Sequence, residues 1–219
     1  MKLTKSLIGC IFIASSLMFS SCAGGVKDKD GNIYKIGKRG NKEWMAENLN
    51  VSRFRNGETI PEVKSAGEWE RSGKEGKPAW CIQKNDPENG KRYGKLYNWY
   101  AVNDPRGLAP KGWHVASDEE WKQLTDYFGG EIFAAYKMRT LGVSETGTGT
   151  SVSGFSGLPA GACTSNGSFF GLGSHGFWWT ATELTVSNSW IRLLNYINCS
   201  VNSLNYNKLF GLSVRCLRD

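Results

Sequence analysis

The pattern of apolar and polar positions is clearest in the segment SDEEWKQLTDYFGG, residues 117–130, where it predicts a helix. Ser117 and Glu120 form an S-x-x-E capping box, in which each side chain satisfies a free backbone donor at the helix start. Gly129 supplies the left-handed residue that ends the helix. A second, shorter helix is predicted over residues 132–138. The apolar face of the first helix consists of Trp121, Leu124, Tyr127 and Phe128.

Before and after these helices the pattern predicts strands and loops. Near the N-terminus, a turn at 30–32 is followed by a β-prone run and a hairpin that leads to residues 44–45. The segments 52–76, 85–94 and 142–157 are polar and rich in turn-forming residues, which predicts loops. In the C-terminal part, apolar and polar residues alternate as they do in strands. This order of strands, helices and strands predicts an α+β fold.

The N-terminus has the charged, apolar and small-residue order of a secretory signal. Two lysines precede the mostly apolar run 7–19, which is too short to span a bilayer. Cys22 directly follows two serines, and this arrangement resembles the lipobox of bacterial lipoproteins. We therefore predict a signal peptide over 1–21, acylation of Cys22 and a polar tether over 22–30. An ordinary secretory signal with an incidental cysteine is the alternative.

Residues 31–219 are long enough for one sizeable core and are predicted to form a single domain. Without the signal, 25 basic and 20 acidic residues remain, a net charge of +5. These charges are scattered along the chain and form no basic stripe. Nucleic acid is therefore not a predicted partner.

Cysteine usage favours disulfides in an exported protein. Beyond Cys22, four cysteines remain, an even count that allows three connectivities. A metal site is the rival interpretation, but no two of the four are close in sequence and only two histidines could assist them. We therefore predict disulfides and no metal. The four residues are Cys81, Cys163, Cys199 and Cys216.

No constellation in the sequence predicts catalysis. His114 could act as a base with Asp118 or Glu119, but its place just before a capped helix favours a half-buried, hydrogen-bonded structural histidine. His175 has only its neighbour Ser174 as a nucleophile, without the strand-turn-helix context of a hydrolase. No phosphate-binding loop or zinc-protease motif is present. The sequence therefore predicts a protein that is not an enzyme and has no cofactor.

The abundant aromatic residues of the C-terminal part suggest a binding surface. Trp178 and Trp179 are adjacent in a predicted strand, so they point to opposite faces, one towards the core and one towards solvent. An exposed aromatic set with Asn and Arg could stack on sugar rings. The alternative is that these rings pack beneath the loops. The candidate ligand-binding residues are Phe169, Phe170, Trp179, Trp190, Arg192 and Tyr196.

Several stretches together resemble one known family. NKEWMAENLN, YGKLYNWYAVND, GLAPKGWHVASDEEWKQL, SGFSGLPAG, FWWTATE and GLSVRCLRD occur in this order. They are similar to the Fibrobacter succinogenes major paralogous domain, which is common in exported lipoproteins, and the similarity runs from about Asp28 to Asp219. The resemblance implies a fold like that of C-type lectins and formylglycine-generating enzymes. Such a fold has paired N- and C-terminal strands, one or two helices and a twisted antiparallel sheet with long loops.

The resemblance also implies a disulfide pairing and a range of functions. Positions like Cys81 and Cys216 usually carry cysteine in such domains, which implies the pairs Cys81–Cys216 and Cys163–Cys199. The expected function is a lipid-anchored, non-enzymatic module that binds a glycan or a surface protein, at the periplasmic or outer face of the outer membrane. The alternatives are a structural envelope or fimbria-like subunit and, third, an oxidase like the formylglycine-generating enzymes.

Overall fold

The computed structural model describes residues 25–140 and 153–219. The predicted signal peptide, Cys22 and most of the predicted loop 142–157 lie outside these residues. The helices are α1 Ala66–Lys74, α2 Pro87–Tyr93, α3 Trp99–Val102, α4 Asp118–Tyr127 and α5 Glu131–Met138, with a 3-10 turn at Gln83–Asn85. The strands are β1 Val26–Lys27, β2 Ile33–Tyr34, β3 Ile36–Arg39, β4 Lys42–Met45, β5 Trp80–Cys81, β6 Leu96–Tyr97, β7 Trp113–Val115, β8 Ala160–Cys163, β9 Phe169–Leu172, β10 His175–Glu183, β11 Asn188–Asn195, β12 Ser200–Asn207 and β13 Cys216–Arg218.

Two larger sheets organise these strands, and the predicted α+β class is confirmed. One sheet has the order β12-β11-β10-β8-β9, and the other has the order β3-β4-β13-β7. Neighbours are antiparallel except β8 and β10, which pair in parallel. Strands β1 and β2 form one separate two-stranded sheet, and strands β5 and β6 form another. In the second sheet, the C-terminal strand β13 pairs with the early strand β4, with Leu217 opposite Trp44.

Alternation along β10 and β11 divides the core into two layers. Phe177, Trp179 and Ile191 face the main hydrophobic cluster, which includes residues of β4, β6 and β7. Trp178 and Leu194 face a second cluster built with helices α4 and α5. Because side chains of a strand alternate between its faces, one sheet buries apolar residues on both sides.

A buried arginine connects the two sheets. Arg215 is fully buried and donates from Nη1 to the carbonyl oxygens of Ala46 at 2.6 Å and Phe155 at 2.5 Å. Its Nη2 donates to Asn48 Oδ1 at 2.8 Å, which also accepts from Trp178 Nε1. Burial lowers the pKa of Arg215 to about 9. Backbone and amide oxygens accept from both Nη atoms of the guanidinium without a counter-charge, whereas its Nε has no partner among the described residues.

The two helices predicted from periodicity are present, whereas the three others, α1, α2 and α3, were missed. Helix α4 has the predicted capping box, in which Ser117 Oγ accepts from the Glu120 backbone and Glu120 Oε2 accepts from the Ser117 backbone at 2.9 Å. Helices α1 and α2 occupy segments that were predicted to be loops. Within the described residues, no helix is both long and apolar enough to cross a bilayer.

Candidate ligand site

A tight hairpin brings two basic side chains to one edge of the four-stranded sheet. Strands β3 and β4 pair with Lys38 opposite Glu43 and Arg39 opposite Lys42. Gly40 has a φ of +62°, a left-handed conformation that glycine adopts without strain. Lys38 and Arg39 therefore stand at the end of the hairpin, next to the helical side of the molecule.

The aromatic wall of the site comes from helices α4 and α5. Tyr127 is the last residue of α4, and its ring centroid lies 5.3 Å from that of Phe128. Tyr136 and Lys137 lie near the end of α5. Phe128 is buried, but Tyr127 is 57% exposed and Tyr136 is 50% exposed. The prediction that Tyr127 belongs to the buried face of α4 is therefore wrong. Trp121, Leu124 and Phe128 form the buried stripe, and Tyr127 lies at its edge.

These groups line a cavity of about 550 Å³. Ligand pockets in proteins usually measure ~300–1,000 Å³ and combine apolar walls with a few polar groups. Three of the described lining side chains are cationic, three are aromatic, and none is acidic. The described lining residues are Lys38, Arg39, Tyr127, Phe128, Tyr136, Lys137 and Ser153.

Arg39 is the unusual member of this lining. The residue is only 4% exposed, and its Nη1 donates to the carbonyl oxygen of Gly37. Among residues 25–140 and 153–219, its Nε and Nη2 have no hydrogen-bond partner. Nε–H and Nη2–H form one edge of the guanidinium and can bind both oxygens of a carboxylate. Burial lowers the pKa of Arg39. An anion bound at this edge would favour the charged guanidinium and raise that pKa again.

Gly37 makes room for this arginine. A Cβ built on Gly37 would lie 2.7 Å from Arg39 Cζ, closer than atoms of this kind approach each other. The guanidinium therefore packs over the backbone of its own strand because position 37 has no side chain.

Lys137 fixes the opposite rim of the cavity. Its Nζ donates to the carbonyl oxygen of Phe128 at 3.0 Å, and it lies 6.0 Å from the centre of the Phe128 ring. The ammonium is thus held close to the C-terminal end of α4, where helix carbonyls carry partial negative charge. Together with the hairpin, this contact places positive charge on two sides of the aromatic wall.

His114 takes the structural role predicted for it. Its Nδ1 lies 2.7 Å from Asp219 Oδ1, and its Nε2 lies 3.1 Å from both oxygens of Glu120. Lys42 Nζ also contacts Glu120 at 3.0 Å. The side chain is half-buried and hydrogen-bonded, but neither Asp118 nor Glu119 contacts it in the described residues. His114 therefore holds the first turn of α4 against the C-terminus.

The aromatic surface predicted from the sequence does not form. Trp179 is fully buried, and its Nε1 donates to the Tyr97 carbonyl at 2.8 Å. Tyr196 is buried too, and its hydroxyl donates to the Gly157 carbonyl at 2.5 Å. Trp178, the expected alternative, is also buried. The physical reason is that both faces of the five-stranded sheet are covered, so that neither tryptophan of the pair reaches solvent.

The remaining members of that predicted surface are dispersed. Arg192 is buried and forms an ion pair with Asp118 of α4 at 2.7 Å. Trp190 is half-buried on β11, and Phe169 packs against the cysteine cluster of β5 and β8. Phe170 is 37% exposed, with its ring 5.3 Å from that of buried Phe177. These residues do not share a common exposed face.

The disulfide pairing implied by the resemblance is also not what the structure shows. In this structure Cys81, Cys163, Cys199 and Cys216 are not bridged. Cys216 lies in the main core because β13 runs between β4 and β7, and burial raises its pKa to about 12. Cys81 instead packs with Cys163 in a separate cluster. Cys199 lies next to Arg139, whose Nη1 donates to its Sγ at 2.8 Å.

The residues of the cavity were missed because they are far apart in sequence. Lys38 and Arg39 precede Tyr136 by almost a hundred positions, and no local pattern joins them. The usable signal was the pair of tyrosines near the ends of two neighbouring helices, Tyr127 and Tyr136, beside glycines that set the helix–helix turn. In the described residues, no group of three or more His, Cys, Asp or Glu side chains has the geometry of a metal site.

The fold defines an α+β domain whose N- and C-terminal strands pair within one sheet. The family model of the Fibrobacter succinogenes major domain matches residues 37–218, which is most of the chain. The chain therefore belongs to this family, and the resemblance noted in the sequence is confirmed. No curated protein and no solved structure shows a significant match to it.

Proposed function

We propose that this protein is a lipid-anchored, non-enzymatic module of the cell envelope that binds a carboxylated glycan. The ligand occupies the cavity between the β3–β4 hairpin and helices α4 and α5. The single observation that carries this proposal is the buried Arg39 in the cavity lining, whose Nε and Nη2 lack partners among the described residues.

The walls of the cavity suit a sugar ring. A pyranose presents flat apolar faces and a rim of hydroxyl groups, so it matches aromatic side chains bordered by polar ones. Tyr127 and Tyr136 supply rings that are half exposed, and each also carries a hydroxyl group that can donate or accept a hydrogen bond. An apolar ligand would offer no hydrogen-bonding partner to those hydroxyls or to the nearby lysines.

The charges of the cavity select an acidic sugar over a neutral one. The unpaired edge of Arg39 is buried in the wall of the cavity, and a carboxylate that reaches it supplies the partner it lacks, while Lys38 and Lys137 add positive charge on either side. A buried charge without partners is costly, so binding an anion here relieves a cost that the free protein carries. Hydrogen bonds between charged groups contribute ~1.5–3 kcal/mol each, which corresponds to about 10-fold to 100-fold in affinity.

The test is a glycan array probed with the full-length processed protein in mild detergent. We expect binding to uronic-acid-containing glycans and not to their carboxyl-reduced counterparts. Arg39→Gln and Tyr136→Ala should each weaken this binding by about 10-fold or more. Phe133→Ala is the matched control because Phe133 lies on the same helix, is 65% exposed and does not line the cavity. Unchanged binding by Arg39→Gln would contradict the proposal.

The lipid anchor is tested separately. If Cys22 is acylated, radiolabelled palmitate should be incorporated into the wild-type protein and not into Cys22→Ala. Retention of the label in Cys22→Ala would refute the anchor and leave the ligand site unaffected. Protease treatment of intact cells would then show whether the domain faces the periplasm or the exterior.

A contact with another envelope protein is the second candidate function. Ile132 and Phe133 are 74% and 65% exposed on α5, beside the cavity but outside its lining. Adjacent large apolar side chains of this kind are typical of protein contact sites. An envelope partner that co-purifies with the wild type and is lost from Phe133→Ala, without any glycan binding, would favour this structural role.

A further inference from the structure

The fold brings two of the four cysteines together from distant strands. Cys81 ends β5 and Cys163 ends β8. Two residues after Cys81, Gln83 donates from Nε2 to the carbonyl oxygen of Ala160 at 2.7 Å, which holds this part of the chain against β8. The two thiols lie close enough for that of Cys163 to influence the pKa of Cys81. The two side chains belong to one small hydrophobic cluster with Trp69.

A neighbouring glycine leaves space around this pair. Gly211 forms a β-bridge with Cys163, and a Cβ on Gly211 would lie 3.0 Å from the Cys163 Cβ and 2.8 Å from Trp69 Cζ2. A side chain at position 211 would therefore displace Cys163 from its position. A shallow depression bordered by both cysteines and by Trp69 opens above them.

We propose that Cys81 and Cys163 are joined by a disulfide in the exported protein, which rests on the export assumed in the proposed function. The two S–H bonds are broken, one Sγ–Sγ bond forms, and the two protons pass to the sulfurs of the oxidant. The two electrons reduce the disulfide of a thiol–disulfide oxidoreductase to a dithiol, by way of a mixed disulfide. Exported proteins meet oxidants of this class, whereas cytosolic thiols stay reduced.

The burial of the two cysteines determines when the disulfide can form relative to folding. Cys81 is 2% exposed and Cys163 is 1% exposed, so an oxidoreductase cannot reach either sulfur in the folded domain. Burial and then the neighbouring Cys163 thiol raise the pKa of Cys81, which makes it a poor nucleophile once it is enclosed. The bond therefore forms during folding, before helix α1 packs Trp69 over β5.

Cys199 and Cys216 take no part in this bridge. Cys216 lies in the main core, on the other side of strand β6 from the pair, and Cys199 contacts Arg139 in the turn between β11 and β12. Both therefore remain thiols. The bridge links the helix-rich first half of the domain to the strand-rich second half and constrains the long stretch of chain between them.

Peptide mapping of the full chain isolated from its host's envelope tests the proposal. Thiols are alkylated under denaturing, non-reducing conditions, and the digested peptides are identified by mass. We expect one linked pair containing Cys81 and Cys163, with Cys199 and Cys216 alkylated. A Cys81–Cys216 or Cys163–Cys199 linkage, or four alkylated cysteines, would overturn it.

Thermal unfolding gives a second readout with matched variants. Reduction with dithiothreitol should lower the Tm of the wild type by about 10 °C. Cys199→Ala should show the same shift, whereas Cys81→Ala should show none. An equal shift in Cys81→Ala, or none in the wild type, counts against the bridge. Refolding of the wild type with a glutathione redox pair should form the same linkage, whatever the outcome of the glycan array.

Discussion

At the scale of single residues, the cluster around Glu120 shows how a local motif acquires distant partners. The sequence predicted the capping box that Glu120 forms with Ser117, because that motif spans four positions. It could not predict Asp219 as a partner of His114, since these two lie 105 positions apart. It named Asp118 and Glu119 only as acids that His114 could use if it were a base, and neither contacts it among the described residues. A capping-box glutamate turns back towards the start of its helix, and that brings Glu120, not Glu119, to the histidine.

The ionisation of Glu120 should make stability depend on pH. Burial alone would raise the pKa of Glu120, but the hydrogen bonds from the Ser117 backbone, Lys42 and His114 outweigh it and lower the pKa to about 2. Because the folded value lies below the unfolded value of 4.5, the carboxylate stabilises the fold above about pH 4.5. That stabilisation is lost as the pH falls towards about 2.

The substitution Glu120→Gln isolates this charge because glutamine can still complete the capping box. We expect a loss of about 1–2 kcal/mol in the free energy of unfolding at pH 7, after allowance for solvent screening. The difference from the wild type should shrink between pH 4.5 and 2, as measured by urea unfolding. Glu119→Gln is the control, since Glu119 is exposed. A difference that is the same at pH 7 and pH 3 would show that the charge is not responsible.

At the scale of elements, glycine explains why helix α1 was missed. The segment 52–76 contains several glycines and a proline, so the pattern predicted a loop. In the structure Ser65 caps α1, with its side chain accepting from the Glu68 backbone, and Trp69 is buried on one face. Gly73 is part of that face because helix and loop approach closely there. Local propensity is outweighed by this packing, which cannot be seen from the sequence of the segment alone.

The two glycines of α1 should respond oppositely to alanine. A Cβ on Gly73 would lie 2.6 Å from Leu209 Cγ and 3.1 Å from Leu209 Cβ, whereas a Cβ on Gly67 meets nothing within 4 Å. Gly73→Ala should therefore lower the free energy of unfolding by about 1–3 kcal/mol through overpacking. Gly67→Ala should raise it by about 0.5–1 kcal/mol through helix propensity. Chemical denaturation of both variants tests this, and stabilisation by Gly73→Ala would contradict the packing.

The exposed aromatic residues were also mispredicted because the local sequence does not show how elements pack on each other. The strands rich in tryptophan were correctly placed in a sheet, but the prediction that one tryptophan of the 178–179 pair is exposed was wrong. Strand alternation says that the two face opposite sides, and it does not say whether both sides are covered. Helices α4 and α5 cover the second face, so the exposed aromatic side chains lie on those helices instead, at Tyr127 and Tyr136.

At the scale of the whole molecule, one C-terminal segment joins the separate sheets. Gly211 forms a bridge with Cys163 of β8, Leu212 with Tyr97 of β6 and Ser213 with Trp178 of β10. Strand β13 then pairs with β4 and β7. The alternation of apolar and polar residues in this segment predicted a strand, but only the assembled fold shows that it connects every layer of the core.

This connecting role predicts that the domain folds as one cooperative unit that requires its C-terminus. A chain that stops after Gly211 loses β13, the bridges of Leu212 and Ser213, and the buried Arg215 that bonds to the carbonyls of Ala46 and Phe155. We expect this truncated chain to show no cooperative thermal transition and to lose its near-ultraviolet circular dichroism. The signals of the tryptophans in both core layers should disappear together, because both layers are tied to the same segment.

The matched control removes a strand from the other end of the domain. Strand β1 pairs only with β2 among the described strands, so a chain that begins at residue 28 keeps both larger sheets and the paired strands β4 and β13. It should unfold in a single transition, with a loss of at most about 1–2 kcal/mol. A sharp transition in the chain that ends at Gly211 would mean that the five-stranded sheet and its helices fold without the C-terminal segment. The family domain would then consist of two independently stable halves joined by a dispensable strand.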